Sequence, residues 1–295
     1  MNRTGQSYVY ALVAILFWST VPTAFKISLA ELDVLSMLTA ATFTSTLVLL
    51  LLILVSGKAG LILQNSGSDL LYSAILGLVN PFIYYLILLK AYTLLPAQVA
   101  QPLNMIWPII LVFLSVPVLK QKIEKKSYLA LFISFAGVYL ISSRGKPFTF
   151  GGPDLTGVLL ATGSSVFWAF YFILNVRDKR DEAVKLFLNF LFGSVYLALA
   201  MTITGNWHSL TGFRGLAGSV YIGIFEMGLT FFFWLKALSL APSTDKVSNL
   251  VYLAPFISLL FVHFLLKEPV YYTTPAGLIM ITAGILIQNR KPVKY

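Results

Sequence analysis

The chain has 295 residues, 58% hydrophobic and only 11% charged, with a mean hydropathy of +0.84. Soluble domains carry about 25% charged residues, so a water-soluble globule is excluded and much of the surface must face lipid. A net charge of +10 held in short basic clusters between apolar runs excludes a nucleic-acid groove, and the absence of cysteine excludes disulfides, thiolate metal sites and Cys nucleophiles.

A helix needs about 20 mostly apolar residues to cross about 30 Å of hydrocarbon. Such runs occupy residues 8–28, 34–56, 70–92, 97–119, 127–143, 155–176, 184–204, 215–238, 246–266 and 271–289. The first follows Met1-Asn2-Arg3 but carries Trp18 and Pro22 and no small-residue cleavage site, so it is expected as a retained span and not a signal peptide. Ten spans with cytoplasmic termini put 15 Lys and Arg inside, among them Lys58, Lys120, Lys122 and Arg180, and six outside: Lys26, Lys90, Arg144, Lys146, Arg214 and Lys267. That imbalance follows the positive-inside rule for a multi-pass protein of the cell membrane.

The chain also repeats itself. Leu89-Lys90-Ala91-Tyr92-Thr93-Leu94-Leu95-Pro96 returns 146 residues later as Leu235-Lys236-Ala237-Leu238-Ser239-Leu240-Ala241-Pro242, with five of eight positions identical. Leu119-Lys120 returns as Leu266-Lys267, Ala136-Gly137 as Ala283-Gly284, and Phe17-Trp18 as Phe167-Trp168. Residues 1–146 and 147–295 therefore read as two five-helix repeats of one transport unit. Five is odd, so the second repeat must insert upside down. The expected fold is an all-α integral membrane protein of ten transmembrane helices in two inverted five-helix repeats, an arrangement that places solute sites near the midplane.

Ten of the eleven acids fall in loops or at span ends; Glu226 alone lies mid-span. An ionised acid at the bilayer centre costs about 2.5–3.5 kcal/mol, so such a residue faces a bundle interior or a wet cavity. Helical spacing sets Ser219, Gly223, Glu226 and Thr230 on one face. The repeat offset gives Ser73, Gly77, Asn80 and Tyr84 in span three, and span six carries Ser164, Trp168, Tyr171 and Asn175 at the same spacing. The small residues suit helix packing equally well. Span four adds Gln101, Asn104, Trp107 and Pro108, and span nine adds Asn249, Tyr252 and Phe256. The candidate substrate-binding set is Glu226, Asn80, Tyr84, Asn104, Trp107, Trp168, Tyr171, Asn249, Tyr252 and Trp18, with Glu226 also the candidate coupling group. Aromatic walls around one carboxylate suit a small metabolite that is cationic or aromatic.

Prolines at 22, 81, 102, 108, 117 and 255 can kink spans, and Lys26, Lys90 and Lys236 sit where snorkelling to headgroups is expected. His208 and His263 are too isolated for a metal site. No Walker loop, H-E-x-x-H or G-x-S-x-G is present, so neither ATP nor hydrolytic chemistry is expected, and no cofactor or metal is required.

The chain resembles the ten-span EamA-type exporters of the drug/metabolite transporter superfamily. The residues that carry the resemblance are Phe17-Trp18-Ser19, Phe167-Trp168-Ala169, the run from Ala237 to Pro242, Tyr252-Leu253-Ala254-Pro255 and Leu265-Leu266-Lys267-Glu268. It departs where the family pattern ends in Gly-Glu, here Lys267-Glu268, and in the first half, where the acid is displaced to Glu124 and Pro108 stands one residue early. The resemblance implies secondary export of amino acids, amines or other small metabolites, coupled to a proton, another ion or a counter-solute, through a cavity formed by spans three, four, eight and nine. The competing readings are a membrane-embedded enzyme and a sensor without transport.

Overall fold

The computed structural model describes residues 3–107, 109–111, 113–114, 125–146, 154–240 and 249–289. The expectations placed on Pro108, Pro117, Lys120, Lys122, Glu124 and the residues from Ala241 to Val247 lie outside that set. The described residues are helical, with no strand among them. In chain order they form α1 (Arg3–Leu29), α2 (Val34–Val55), the short α3 (Ala59–Leu63), α4 (Gly67–Gly77), α5 (Tyr84–Leu94), α6 (Ala97–Asn104), α7 (Lys125–Ser142), α8 (Leu155–Arg177), α9 (Glu182–Thr204), α10 (Phe213–Tyr221), α11 (Thr230–Leu240), α12 (Ala254–Leu266) and α13 (Thr273–Asn289). Five helical runs are long and apolar enough to cross a bilayer: Arg3–Leu29, Val34–Val55, Gly67–Leu94, Leu155–Asn175 and Glu182–Thr204. Shorter apolar helices cover Tyr128–Ser142, Leu250–Leu266 and Thr273–Ile287.

Two spans expected as single α-helices are interrupted. α4 and α5 are joined by a π-helical segment, Leu78–Ile83, in which Asn80 leaves helical geometry (φ −147°, ψ 122°) ahead of Pro81. α10 and α11 are joined by a second π segment, Ile222–Leu229. Proline removes the backbone donor at 81, which accounts for the first interruption. Wider turns of this kind open the ladder of helix hydrogen bonds and recur at functional sites. The segments fall at equivalent places in the sequence repeat and contain Asn80 and Glu226.

The acids at span ends have a structural task. Asp33 accepts from the N–H groups of Leu35 and Ser36, Ser66 and Asp69 form a capping box, Asp154 accepts from Gly157, and Asp181 accepts from Ala183 and Val184. Glu31 and Glu268 cap across space: Glu31 accepts from Gly215 N at the start of α10 (2.8 Å) and Glu268 from Ala97 N at the start of α6 (3.2 Å). Helix N-termini leave backbone donors without partners, and carboxylates satisfy them while meeting the positive end of the helix dipole.

The bundle is apolar outward and polar inward. Leu47, Leu51, Phe132, Leu159, Leu260 and Phe264 are exposed, whereas Ser7, Ser19, Thr42, Ser45, Ser164, Asn189 and Ser258 are buried. α1 packs along α10, α11 and α12, while α8 packs along α5 and α6; α9 packs on α2 and α4, and α2 on α10 and the second π segment. α7 and α13 pair along their lengths at reciprocal glycines: a Cβ added at Gly137 would meet the Gly277 carbonyl, and one at Gly277 the Gly137 carbonyl. Close approach at small residues is how membrane helices gain contact without a hydrophobic drive between them.

Hydrogen bonds sort the turns into two opposite groups. At one end Lys58 Nζ reaches Asp181 Oδ2 (2.5 Å), Arg180 binds Asp178 (2.5 Å), Asn65 Oδ1 (3.0 Å) and Ser73 Oγ (2.8 Å), and Ser7 Oγ donates to Ala237 O (2.7 Å). A recess of about 460 Å³ opens there between Asp69, Tyr72 and Arg177–Arg180. Burial raises the Asp178 and Asp181 carboxyls, but Arg180 and Lys58 respectively outweigh it and hold both below the ordinary carboxylate range. At the other end Glu31 meets Gly215, Glu268 meets Ala97, and Gly145 N donates to Thr273 Oγ1 (2.9 Å).

Candidate functional site

Glu226 sits in the second π segment and is half-buried. Its Oε1 accepts from the Tyr85 hydroxyl (3.1 Å), a residue of α5 that is 1% exposed. Its Oε2 is buried and has no hydrogen-bond partner. A buried carboxylate oxygen without a donor carries a desolvation cost of several kcal/mol that a ligand donor or a proton relieves.

Around this carboxylate the structure assembles most of the other sequence candidates. The Tyr84 ring lies 4.7 Å from that of Tyr85 and 5.1 Å from Trp168. Trp168 continues the set to Tyr171 (5.8 Å) and Trp107 (6.4 Å). The polar edges are joined as well: Tyr84 Oη donates to Asn104 Oδ1 (3.2 Å), Asn104 Nδ2 to Ser164 Oγ (2.8 Å), and Ser164 Oγ to Ala161 O (2.7 Å). That chain of bonds ties α5, α6 and α8 together and fixes the aromatic planes. Asn189 Nδ2 donates to the Tyr171 hydroxyl (3.3 Å), and Asn80 and Asn189 each leave a buried Oδ1 without a partner.

Other candidates stand apart from this group. Trp18 packs on Trp234 at 5.3 Å, and its neighbour Phe17 on Phe225 at 4.5 Å, forming an aromatic group between α1 and the α10–α11 region. Tyr252 packs against the main core from a short 3₁₀ turn, Asn249–Leu253. The Asn249 side chain lies outside the described residues. The expected single face through Ser219, Gly223, Glu226 and Thr230 is split, because the π segment rotates the positions that follow it. Gly223 packs on Ala41 and Thr44 of α2, Ser219 Oγ donates to Gly215 O, Thr230 donates to Phe225 O, and Glu226 meets Tyr85. Gly77 likewise packs on Asn189, Phe192 and Gly193, and Ser73 accepts from Arg180. These small residues are packing positions. Lys26, expected to snorkel, instead donates to Tyr92 O at 2.7 Å.

Tyr85 and Asn189 complete the site without having been singled out from the sequence. Asn189 had a signal, an amide in the middle of the apolar run 184–204. Tyr85 had only its place beside Tyr84.

The EamA-like transporter family model matches twice, over residues 6–143 and 155–290. An uncharacterized transporter of Archaeoglobus fulgidus (strain ATCC 49558 / DSM 4304 / JCM 9628 / NBRC 100126 / VC-16) is 26% identical over 292 residues, 97% of this chain and 98% of its own. The uncharacterized transporter YvbV of Bacillus subtilis (strain 168) is 28% identical over 220 residues (72% and 70%), and the protein PecM of Dickeya dadantii (strain 3937) is 27% identical over 233 residues (75% and 76%). A crystal structure matches with a TM-score of 0.65 at 22% identity over 97% of both chains, which speaks to the fold. Two of these three relatives are named transporters, the spans are those of a multi-pass membrane protein, and a small-molecule substrate goes with the family; the chain belongs to the EamA-like transporter family of the drug/metabolite transporter superfamily.

Proposed function

We propose that the protein is a secondary exporter of small organic metabolites bearing an amine, with Glu226 as the central ligand and coupling group. The observation that carries this is the buried, unpartnered Oε2 of Glu226 beside the Tyr84–Tyr85–Trp168 aromatic wall. A carboxylate that lacks a donor, next to π faces, selects an ammonium through charge-assisted hydrogen bonding and cation–π attraction. Asn80, Asn104, Trp107 and Tyr171 are assigned to the same site in this reading, and Trp18, Asn249 and Tyr252 stay with it as further substrate contacts.

The double family match, the π segments at equivalent positions and the crossed packing of α1 and α8 support two inverted five-helix repeats, residues 1–146 and 147–295, that work by alternating access in the cell membrane. The turns joined by Lys58–Asp181 then face the cytoplasm with both termini, and those joined by Glu31–Gly215 face outward. Transport into proteoliposomes by wild type and Glu226→Gln across a pH series tests the reading. Loss of about tenfold or more for amine solutes, with a flattened pH profile, is expected. Equal rates and equal pH dependence remove Glu226 from the mechanism.

A further inference from the structure

Four stretches of chain meet at the end proposed as extracellular: the last turn of α1 with Lys26, the turn at 95–98, the turn at 143–146, and residues 267–274. Gln98, 1% exposed, knots them: Nε2 donates to Pro269 O, and Oε1 accepts from Tyr271 N (3.1 Å) and Thr274 Oγ1 (3.3 Å). The segment so fixed clamps Gly145, whose N–H donates to Thr273 Oγ1 and whose carbonyl accepts from Tyr272 Oη (3.0 Å). Arg144, just before it, is held at φ 47°, a left-handed conformation that a residue with a Cβ seldom adopts.

Held there, Arg144 has its Nε and Nη2 buried without a hydrogen-bond partner. These two N–H groups form the guanidinium edge that grips a carboxylate or phosphate by two parallel bonds. In the segment that Gln98 ties to this turn, Glu268 spends Oε1 on Ala97 N, and its Oε2 is also buried without a partner. Lys26, in the last turn of α1, donates to Tyr92 O. No ion pair joins Arg144 to Glu268 among the described residues. A buried donor fork and a buried acceptor of opposite charge are thus left on segments that the Gln98 knot holds together, each costly to leave unmade.

We propose that this cluster is a binding site for a small oxyanion that carries its own hydrogen-bond donor, the Arg144 edge taking the oxyanion and Glu268 Oε2 taking the donor. An α-amino or α-hydroxy carboxylate and a protonated inorganic phosphate share that chemistry. A bare carboxylate would leave the Glu268 oxygen unmatched and close to like charge. The site deepens the transport reading, since it gives a solute an outer station distinct from Glu226. Gln98 is its positioning residue.

Calorimetric titration of the purified full-length protein in nanodiscs, in the Glu226→Gln background so that the central carboxylate is silent, uses four probes: glycine, glycolate, acetate and inorganic phosphate. Saturable binding is expected for the donor-bearing probes, with acetate weaker by about tenfold. Preference for glycine and glycolate identifies an organic acid as the source, and preference for phosphate identifies the inorganic ion. Arg144→Gln is expected to weaken binding about 10- to 100-fold, and Arg144→Lys, which keeps the charge and loses the fork, by about tenfold, with melting temperatures retained. Absence of saturable binding by any probe, acetate equal to glycolate, or binding unchanged in Arg144→Lys overturns the proposal. So does stability lost in Arg144→Glu and Glu268→Arg and restored in the double exchange with no probe bound, which would mark a structural pair. If Glu226→Gln abolishes amine transport and still binds glycine, both sites stand; if its transport is unimpaired, only the central reading falls.

Discussion

The glycines at the helix crossings offer the sharpest quantitative test of the packing. A Cβ added at Gly77 would land on the Asn189 carbonyl, with Gly193 N at 3.0 Å and Phe192 Cβ at 3.1 Å. At Gly223 it would land on the Ala41 carbonyl, with Thr44 Cβ at 2.6 Å and Cγ2 at 3.0 Å. Unstrained carbon contacts lie near 3.5–4.0 Å, so each alanine must push two backbones apart by about 1 Å. Overpacking of that kind costs about 1–3 kcal/mol, partly offset by the roughly 0.5–1 kcal/mol that alanine gains over glycine in a helix. Gly77→Ala and Gly223→Ala should each destabilise by about 1–2 kcal/mol. Gly163, within α8, has nothing within 4 Å of an added Cβ, so Gly163→Ala should stabilise by about 0.5–1 kcal/mol. Reversible unfolding in mixed micelles, followed by tryptophan fluorescence, reads the difference. Gly77→Ala and Gly223→Ala as stable as Gly163→Ala would refute the close crossings of α4 on α9 and of the second π segment on α2.

The ion pairs of Lys58 and Arg180 should differ in weight. Lys58 is 43% exposed at the side chain, so Lys58→Gln should cost less than about 1 kcal/mol, whereas Arg180→Gln strands Asp178, 4% exposed, and should cost about 3 kcal/mol in the same unfolding assay. Because the Asp178 and Asp181 carboxyls are held below their unfolded value of 3.8, their contribution is full above that value and lost as pH falls through the lower folded values. Stability should therefore drop more steeply below about pH 4 in wild type than in Asp178→Asn/Asp181→Asn, and equal slopes would contradict the pairing. The chain has no cysteine, so single substitutions report sidedness directly: Gln64→Cys and Lys179→Cys should react with an impermeant maleimide only from the cytoplasmic face and Thr211→Cys only from outside, while labelling of positions 64 and 211 from one side would sink the proposed topology.

The sequence displayed its membrane character, its repeat and its mid-span acid plainly, because each is a one-dimensional pattern of hydropathy or identity. Helical phase was less secure. A stripe at i, i+4, i+7 and i+11 assumes constant pitch, and the π segment at Ile222–Leu229 breaks that assumption between Gly223 and Thr230. Gly223 therefore faces α2 while Glu226 faces α5, although the spacing had put them together. Asn80-Pro81 was a visible warning in the first half; the second half has no proline in that segment, and its interruption left no mark in residue type. Tyr85 escaped notice because its importance is a contact across 141 positions. Arg144 and Glu268 read as a loop base and a span-end acid, since the burial of their unpartnered atoms depends on contacts between distant segments such as those made by Gln98.

The two proposed stations make different demands on a solute. Around the centre the buried polar atoms without partners, Glu226 Oε2 and the Oδ1 atoms of Asn80 and Asn189, are all acceptors, so only a donor-bearing group relieves them. At the outer end the Arg144 fork lacks an acceptor and Glu268 Oε2 lacks a donor, so a group that carries both relieves them. A simple amine is thus served at the centre but leaves the Arg144 fork bare, and a simple acid is served in full at neither station. A small zwitterion is served at both, its ammonium by Glu226 and its carboxylate by Arg144, and the two engagements follow in sequence because the sites are separate. Under these two assignments zwitterions leave through this protein more readily than amines, and amines more readily than acids, since only the first lose no charge partner between the midplane and the outer face.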